Sequence, residues 1–164
     1  MKSPVISLWQ SIIGNPAFRD LPYKVETNKS GTIMMSPASN WHGACQSQVG
    51  YQIRKFKKGG EIINECSILT NDGVKVADVA WASDEFIKRN GYKTPYNIAP
   101  EICVEVVSPG NTEVEIDNKV NLYLAKGANE VWVVGLDAKV TYYDQSGIVK
   151  KSKFVKSIKI SRKD

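Results

Sequence analysis

The sequence predicts an α/β (α+β) fold in which a mixed central β-sheet is flanked by helices. Residues 102–107, 112–126 and 131–136 form a strand–helix–strand unit, and its fully apolar last strand indicates a right-handed parallel crossover. Two predicted hairpins, at 23–35 and 61–82, add antiparallel pairs. A sheet that contains both kinds of pairing, with helices on its faces, follows from these observations.

The first half of the chain begins with a short amphipathic helix. It starts with Ser3 as the N-cap and ends at Gly14. The first hairpin follows, with strands at 23–27 and 31–35 on either side of a turn of three residues. Because apolar side chains then recur every three or four residues, a long helix is predicted from residue 39 or 40 to about Lys57.

The remaining elements complete the sheet. Strands at 61–69 and 74–82 are joined by a turn rich in Asn, Asp and Gly. A helical turn and a loop occupy 83–100, and a final hairpin is predicted from strand 139–144 and the residues after the turn at 144–147. Since no internal repeat or linker interrupts the 164 residues, one domain over residues 1–164 is expected.

Composition excludes several classes of protein. With 42% hydrophobic and 24% charged residues, the chain is expected to fold rather than remain disordered. No apolar stretch approaches the roughly 20 residues of a membrane span, so no membrane partner is expected. The three cysteines form no CxxC pair, which argues against disulfides and structural zinc and favours a cytoplasmic location. The single histidine, His42, and the lack of a G-x-S-x-G motif disfavour a Ser/His hydrolase.

The positive charge is concentrated at the C-terminus. The chain carries a net charge of +5, and residues 149–164 contain seven basic residues and one acid, a net of +6. Such a tail could attract phosphate groups. An alternative is a solvated edge strand whose lysines prevent aggregation, because apolar residues alternate with the lysines. Charge alone does not identify a nucleic-acid partner.

Two acids in apolar strands are the strongest chemical signal. Asp78 interrupts the strand 74–82, and Glu105 interrupts the strand 102–107. A buried carboxylate requires a hydrogen-bond partner, a counter-charge or a metal ion. Two carboxylates in neighbouring strands also repel each other unless a cation neutralises them. A divalent ion would meet both requirements.

Lys119 is the third unusual residue. It lies three residues after Ile116 and four before Tyr123, so it should face the sheet and could reach the end of the strand that carries Glu105. Two acids and one base can therefore converge. The alternative is purely structural: Asp78 caps a turn, Glu105 forms a buried ion pair with Lys119, and no metal is bound.

The spacing of these residues resembles that of the Uma2 family of endonucleases in the PD-(D/E)XK restriction-endonuclease-like superfamily. The acid of the first motif lies in Ala77-Asp78-Val79, and the second motif is Glu105-Val106-Val107 at the end of a strand, followed by Ser108-Pro109. The helix motif consists of Lys119, Tyr123 and Gly127, followed by Glu130-Val131-Trp132-Val133-Val134. Upstream, the segments 23–26, 31–33 and 35–37 and His42 also resemble the family. The superfamily core, helix, three strands, helix and strand, corresponds to about residues 40–136, with the other hairpins as additions.

The sequence departs from the family pattern at three places. Ala77 replaces the usual proline before the acid. Val107 stands where the superfamily motif carries its lysine, and the resemblance suggests that Lys119 replaces it from the neighbouring helix. The lysine-rich end differs from the usual family ending, which leaves its partner contacts open.

The resemblance implies a metal-dependent endonuclease that hydrolyses phosphodiester bonds in DNA. Asp78 and Glu105 would bind Mg²⁺ or Mn²⁺, with the Val106 carbonyl as a further ligand, and Lys119 would orient the attacking water. Glu26 could add a ligand or remain a solvated or capping residue, and His42 could contact substrate or pair with a carboxylate. Homodimerisation is plausible by resemblance, because cleavage of both strands by one-site subunits needs two sites. The alternative function is an inactive nuclease-fold module that binds nucleic acid or a protein partner.

Overall fold

A computed structural model describes residues 3–21 and 23–163, and within these ranges the chain forms a six-stranded sheet, a separate two-stranded hairpin and four α-helices. The helices are α1 Pro4–Gly14, α2 Asn40–Phe56, α3 Asp84–Asn90 and α4 Glu113–Ala125. The strands are β1 Tyr23–Thr27, β2 Ile33–Pro37, β3 Glu61–Thr70, β4 Gly73–Ala82, β5 Ile102–Val106, β6 Glu130–Val134, β7 Val140–Asp144 and β8 Gly147–Val149.

The large sheet is mixed, as the sequence predicts. Its strands lie in the order β3-β4-β5-β6-β7-β8, and β5 pairs with β6 in parallel while the other neighbours are antiparallel. Helix α4 connects the parallel pair. The predicted core of helix, three strands, helix and strand is therefore present as α2, β3–β5, α4 and β6.

Helices α2 and α4 cover opposite faces of this sheet. On one face, Val49 and Ile53 of α2 pack in a buried cluster with Val104. On the other, Tyr123 of α4 packs in a second cluster with Cys103. Because consecutive residues of a strand point to opposite faces, the apolar strand β5 supplies both clusters. Glu105 shares the α4 face with Cys103.

The hairpin β1–β2 protects a part of β4 that β5 does not cover. The pairing of β4 with β5 extends over Val79–Trp81 of β4. Towards the start of β4, the N–H of Val74 donates to Thr27 Oγ1 at 3.0 Å, and the N–H of Val76 donates to Glu26 Oε1 at 2.8 Å. Side chains of β1 thus satisfy backbone groups that a neighbouring strand would otherwise bind.

The C-terminal segment differs from the predicted edge strand. Regular pairing ends at Val149, and residues 150–163 form no strand. Instead, Val155 and Ile158 are buried in the cluster beneath α2. The Gln48 side-chain amide also exchanges two hydrogen bonds with the backbone of Ser161, at 2.8 and 2.9 Å. Packing against α2 replaces strand pairing because the apolar residues of the segment are buried there.

Two further expectations concern membrane-spanning helices and the number of domains. Within the described part of the chain, every helix is too short or too polar to cross a lipid bilayer. A single domain over residues 1–164 stays a prediction.

Substitution of Gly73 should destabilise the fold at the point where the hairpin meets β4. Gly73 has a φ of 81°, and an added Cβ would lie 2.5 Å from the Thr27 carbonyl oxygen. We expect Gly73→Ala to lower the free energy of unfolding in urea by about 2–3 kcal/mol, because backbone strain and a steric clash combine. Gly127→Ala is the control, since Gly127 has a φ of 96° with no atom within 4 Å of its added Cβ, and it should cost about 1 kcal/mol. Equal losses would show that the close approach is unimportant.

Candidate functional site

Strands β4 and β5 separate at the end of the sheet that carries Asp78 and Glu105. Their pairing stops at Val79–Val104. Beyond this point Asp78 Oδ2 accepts a hydrogen bond from the N–H of Val106 at 2.7 Å. A carboxylate therefore takes the place of a backbone carbonyl between the two strands, which holds Asp78 beside Glu105.

The pairing of β3 with β4 is also interrupted at Asp78. Glu65 lies opposite Asp78, and the register of the two strands skips this pair. Glu65 adopts a φ of 53°, which is uncommon for a residue with a side chain and costs roughly 1 kcal/mol. Strained backbone of this kind is concentrated at functional sites, where surrounding structure maintains it.

Six ionisable side chains meet at this point, and we call them the charged cluster: Lys24, Glu26, His42, Asp78, Glu105 and Lys119. They come from β1, α2, β4, β5 and α4. Asp78 and Glu105 are only 1% and 2% exposed. Since an unpaired charge is costly at such burial, the partners of each acid determine whether the arrangement is stable.

Lys24 lies among the three carboxylates. Its Nζ is 2.6 Å from Asp78 Oδ1, 3.6 Å from Glu105 Oε2 and 3.9 Å from Glu26 Oε1. The ammonium group thus occupies a position that a cation shared by these oxygens would take.

Lys119 extends from α4 to two of the same acids. Its Nζ donates to Glu26 Oε1 at 2.9 Å and to Glu105 Oε2 at 3.2 Å. The other Glu105 oxygen accepts a hydrogen bond from the Tyr123 hydroxyl at 2.7 Å. The capping box of α4, formed by Thr112 and Glu115, fixes the start of the helix that positions both donors.

His42 joins the cluster from the first turn of α2. Ser39 is the N-cap of this helix, and its side chain accepts a hydrogen bond from the backbone N–H of His42. The His42 ring lies with Nε2 3.1 Å from Asp78 Oδ1 and with Nδ1 3.3 Å from Ser108 Oγ. Of its two predicted roles, pairing with a carboxylate is the one that the geometry displays.

Burial and neighbouring charges have opposite effects on the pKa values of the cluster. Burial opposes ionisation of Asp78, but the charge of Lys24 and the hydrogen bond from His42 outweigh it and hold the Asp78 pKa well below its usual range. Burial raises the pKa of Glu105, although the charges of Lys119 and Lys24 reduce this effect. For Lys119, burial lowers the pKa, but the negative charges of Glu105 and Glu26 outweigh burial, and the pKa is raised. Lys119 is therefore a cation at neutral pH.

The charged cluster opens to a cavity of about 390 Å³, which we call the site cavity. Its lining includes Val106 and five members of the charged cluster: Lys24, His42, Asp78, Glu105 and Lys119. The two lysine side chains are 12% and 16% exposed. A ligand that enters the cavity can thus reach carboxylates that are themselves almost fully buried.

The structure brings together all of the side chains that the sequence singles out. Asp78, Glu105 and Lys119 meet, and the accessory residues Glu26 and His42 join them. Val106 lines the site cavity, but its N–H is the group that contacts Asp78, and a ligand role for its carbonyl stays a prediction. The structural alternative is correct for the Glu105–Lys119 ion pair and wrong for Asp78, which bonds to Val106 instead of capping a turn.

Two residues at the site were not predicted from the sequence. Lys24 was overlooked, although it alternates with Glu26 on β1 and therefore shares its face. Glu65 is the second: it is exposed, and it also lines the site cavity. His42, Glu65 and Asp78 each offer one ligand atom within 4.8 Å of the others. These three residues could hold a metal ion.

The fold is that of a restriction-endonuclease-like protein. The family described as "Uma2: Putative restriction endonuclease" matches residues 16–149, and the chain belongs to this family. A crystal structure described as "a putative nuclease belonging to DUF820 from Anabaena variabilis ATCC 29413" has a TM-score of 0.69 and 20% sequence identity. The similarity covers 84% of this chain and 86% of that one, and at this identity it concerns the fold. No curated protein matches the sequence.

The titration of His42 should report its contact with Asp78. The hydrogen bond from His42 to Asp78 raises the His42 pKa above 6.5, although burial acts against it. Since His42 is the single histidine, its Cε1–H resonance can be followed by NMR without assignment. We expect a midpoint above 6.5 that decreases in Asp78→Asn but not in the control Asp72→Asn, whose acid pairs with Lys75.

The same contact should make stability depend on pH. Because the folded-state pKa of His42 is raised, its contribution is complete below pH 6.5 and is lost as the pH increases through the folded pKa. The difference in unfolding free energy between wild type and His42→Gln should therefore decrease across that window. A difference that is independent of pH would contradict the ion pair.

Proposed function

We propose that this protein is a metal-dependent endonuclease that hydrolyses phosphodiester bonds in DNA. The observation that carries the proposal is the charged cluster, in which three carboxylates and two lysines meet at the separated ends of β4 and β5 beside an open cavity. Membership of the Uma2 family supports the same class of reaction.

The donor atoms fit a divalent ion. Lys24 Nζ already lies within 4 Å of oxygens from Asp78, Glu105 and Glu26, which shows that these oxygens can surround a positive charge. Carboxylate oxygens are the ligands that Mg²⁺ and Mn²⁺ prefer. A bound ion would polarise a phosphoryl oxygen and lower the pKa of its water.

The roles of the protein groups follow from their contacts. Asp78 and Glu105 would hold the ion, with the Val106 carbonyl as a proposed additional ligand. Lys119 would orient the attacking water and stabilise negative charge on the phosphate, because it remains protonated and cannot serve as a base at neutral pH. Glu26 and Tyr123 would position Lys119 and Glu105 through the hydrogen bonds described above.

The position of the basic C-terminal segment supports DNA as the partner. The Arg162 guanidinium lies 5.2 Å from the ring centre of Trp41, the residue that precedes His42. The end of the segment is thus placed beside the N-terminal turn of α2, which contributes to the charged cluster. Positive charges beside this turn of α2 would attract the phosphate backbone. A homodimer is part of this proposal if both DNA strands are cut.

A second candidate is a catalytically inactive module that binds nucleic acid or a protein partner. Val107 lies where the superfamily motif has lysine, and the Lys24 ammonium already neutralises the carboxylates. Both observations are compatible with a cluster that is stable without a metal ion.

Cleavage of supercoiled plasmid in Mg²⁺ or Mn²⁺ tests the nuclease. We expect Asp78→Asn, Glu105→Gln and Lys119→Met each to reduce the nicking rate by at least about 100-fold, because each removes a charge that the reaction needs. Glu130→Gln is the matched control. Glu130 is equally buried, but it lies on β6 outside the charged cluster, where it accepts hydrogen bonds from the Trp132 indole N–H and from the N–H of Lys153. Equal nicking by wild type and Asp78→Asn would refute the site.

DNA binding at several salt concentrations tests the C-terminal contribution and the second candidate. We expect the double substitution Arg162→Ala and Lys163→Ala to weaken DNA binding several-fold. The slope of log binding constant against log salt concentration should decrease in magnitude by about one to two. Lys139→Ala is the control, because Lys139 pairs with Asp137 in the turn between β6 and β7. Salt-dependent binding without cleavage in any divalent ion would favour the inactive module.

A further inference from the structure

We propose that Lys24 competes with the divalent ion. Its ammonium group stabilises the three carboxylates when no metal is bound, and it must leave the charged cluster when the ion enters. This inference rests on the metal site of the proposed function and assigns a role to a residue that the sequence did not single out.

The contacts of the two lysines distinguish their roles. Lys119 contacts Glu26 and Glu105. Lys24 contacts both of these acids and also Asp78, where its 2.6 Å distance is the shortest ion-pair contact in the cluster. Asp78 Oδ1, the oxygen that Lys24 and His42 share, is therefore the atom over which an ion and Lys24 would compete.

The charge of the cluster supports competition rather than simultaneous binding. Three carboxylates and two ammonium groups give a net charge of −1 when His42 is neutral. Addition of a divalent ion with Lys24 in place would create a net charge of +1 in a buried site, and Lys24 would lie next to the ion. Repulsion between like charges is strong at such distances, whereas departure of Lys24 leaves three carboxylates opposite one ion and Lys119.

The structure also provides space for Lys24 to move. Lys24 lines the site cavity and also a second cavity of about 300 Å³, whose lining includes residues of α1, β1 and β4. The exposed Glu65 lines both cavities, so an acid is available along the path. The proposed movement is a change of Lys24 side-chain rotamers, in which β1 keeps its pairing with β2.

Mn²⁺ binding measured by isothermal titration calorimetry tests the competition. We expect Lys24→Met to bind Mn²⁺ at least about tenfold more tightly than wild type, because the competing charge is removed. The metal-free variant should have a lower midpoint of thermal unfolding than wild type. Added Mn²⁺ should raise this midpoint more in the variant than in wild type. Lys75→Met is the matched control, since Lys75 is another buried lysine whose ammonium contacts Asp72 and the Thr27 carbonyl. It should lose stability without a change in Mn²⁺ affinity.

Unchanged or weaker Mn²⁺ binding by folded Lys24→Met would overturn the proposal. A second measurement needs no variant: the rate of Lys24 acetylation in the wild type, followed by mass spectrometry, should increase several-fold when Mn²⁺ is added, with the rate at Lys75 as the reference. A Lys24 rate that stays constant or decreases would likewise overturn the proposal.

These readouts separate the proposal from the nuclease reaction. Tighter Mn²⁺ binding by Lys24→Met supports competition even when the wild type cuts no DNA, a result that would refute the proposed function alone. Efficient cleavage together with unchanged Mn²⁺ affinity in Lys24→Met would retain the nuclease and refute the competition.

Discussion

The arrangement of this protein depends on the neutralisation of three carboxylates that the fold removes from water. Glu26, Asp78 and Glu105 are buried and lie within 4 Å of the Lys24 ammonium group, and the Lys119 ammonium group also contacts Glu26 and Glu105. Loss of one partner from a buried ion pair typically costs about 3–5 kcal/mol, because the other charge is left unpaired. Each element that contributes to the cluster is therefore held in place by electrostatics as well as by apolar packing.

The fold satisfies this constraint by interrupting its own sheet. Where β4 and β5 separate, backbone groups lose their usual partners, and Asp78 and Glu26 accept hydrogen bonds from Val106 and Val76. The same interruption lies beside the site cavity, which Asp78 and Glu105 line. The gap between β4 and β5 thus forms the candidate site, because the unpaired backbone N–H groups and the buried carboxylates are hydrogen-bonded to each other.

Much of this arrangement could be predicted from local sequence patterns. The periodicity of α2 and α4 and the apolar strands β5 and β6 gave the sheet and its helices, and an acid in an apolar strand identified Asp78 and Glu105 as residues that need partners. Lys119 followed from its place on the buried stripe of α4. Lys24 could not be recognised in the same way, because a lysine in a short strand of mixed polarity is ordinarily solvated. Two of its partners, Asp78 and Glu105, are 54 and 81 positions away in the chain.

The sequence by itself determined which elements form and which charges require compensation, since both depend on local periodicity and on the cost of burying an ion. Only the tertiary structure decided which cation compensates each acid. That choice depends on distances between β1, β4, β5 and α4, which are set by the crossing of the hairpin over β4 and by the point at which β4 and β5 separate. The C-terminal segment shows the same division. The alternation of apolar residues and lysines favoured an edge strand, whereas the tertiary structure buries Val155 and Ile158 in the cluster beneath α2.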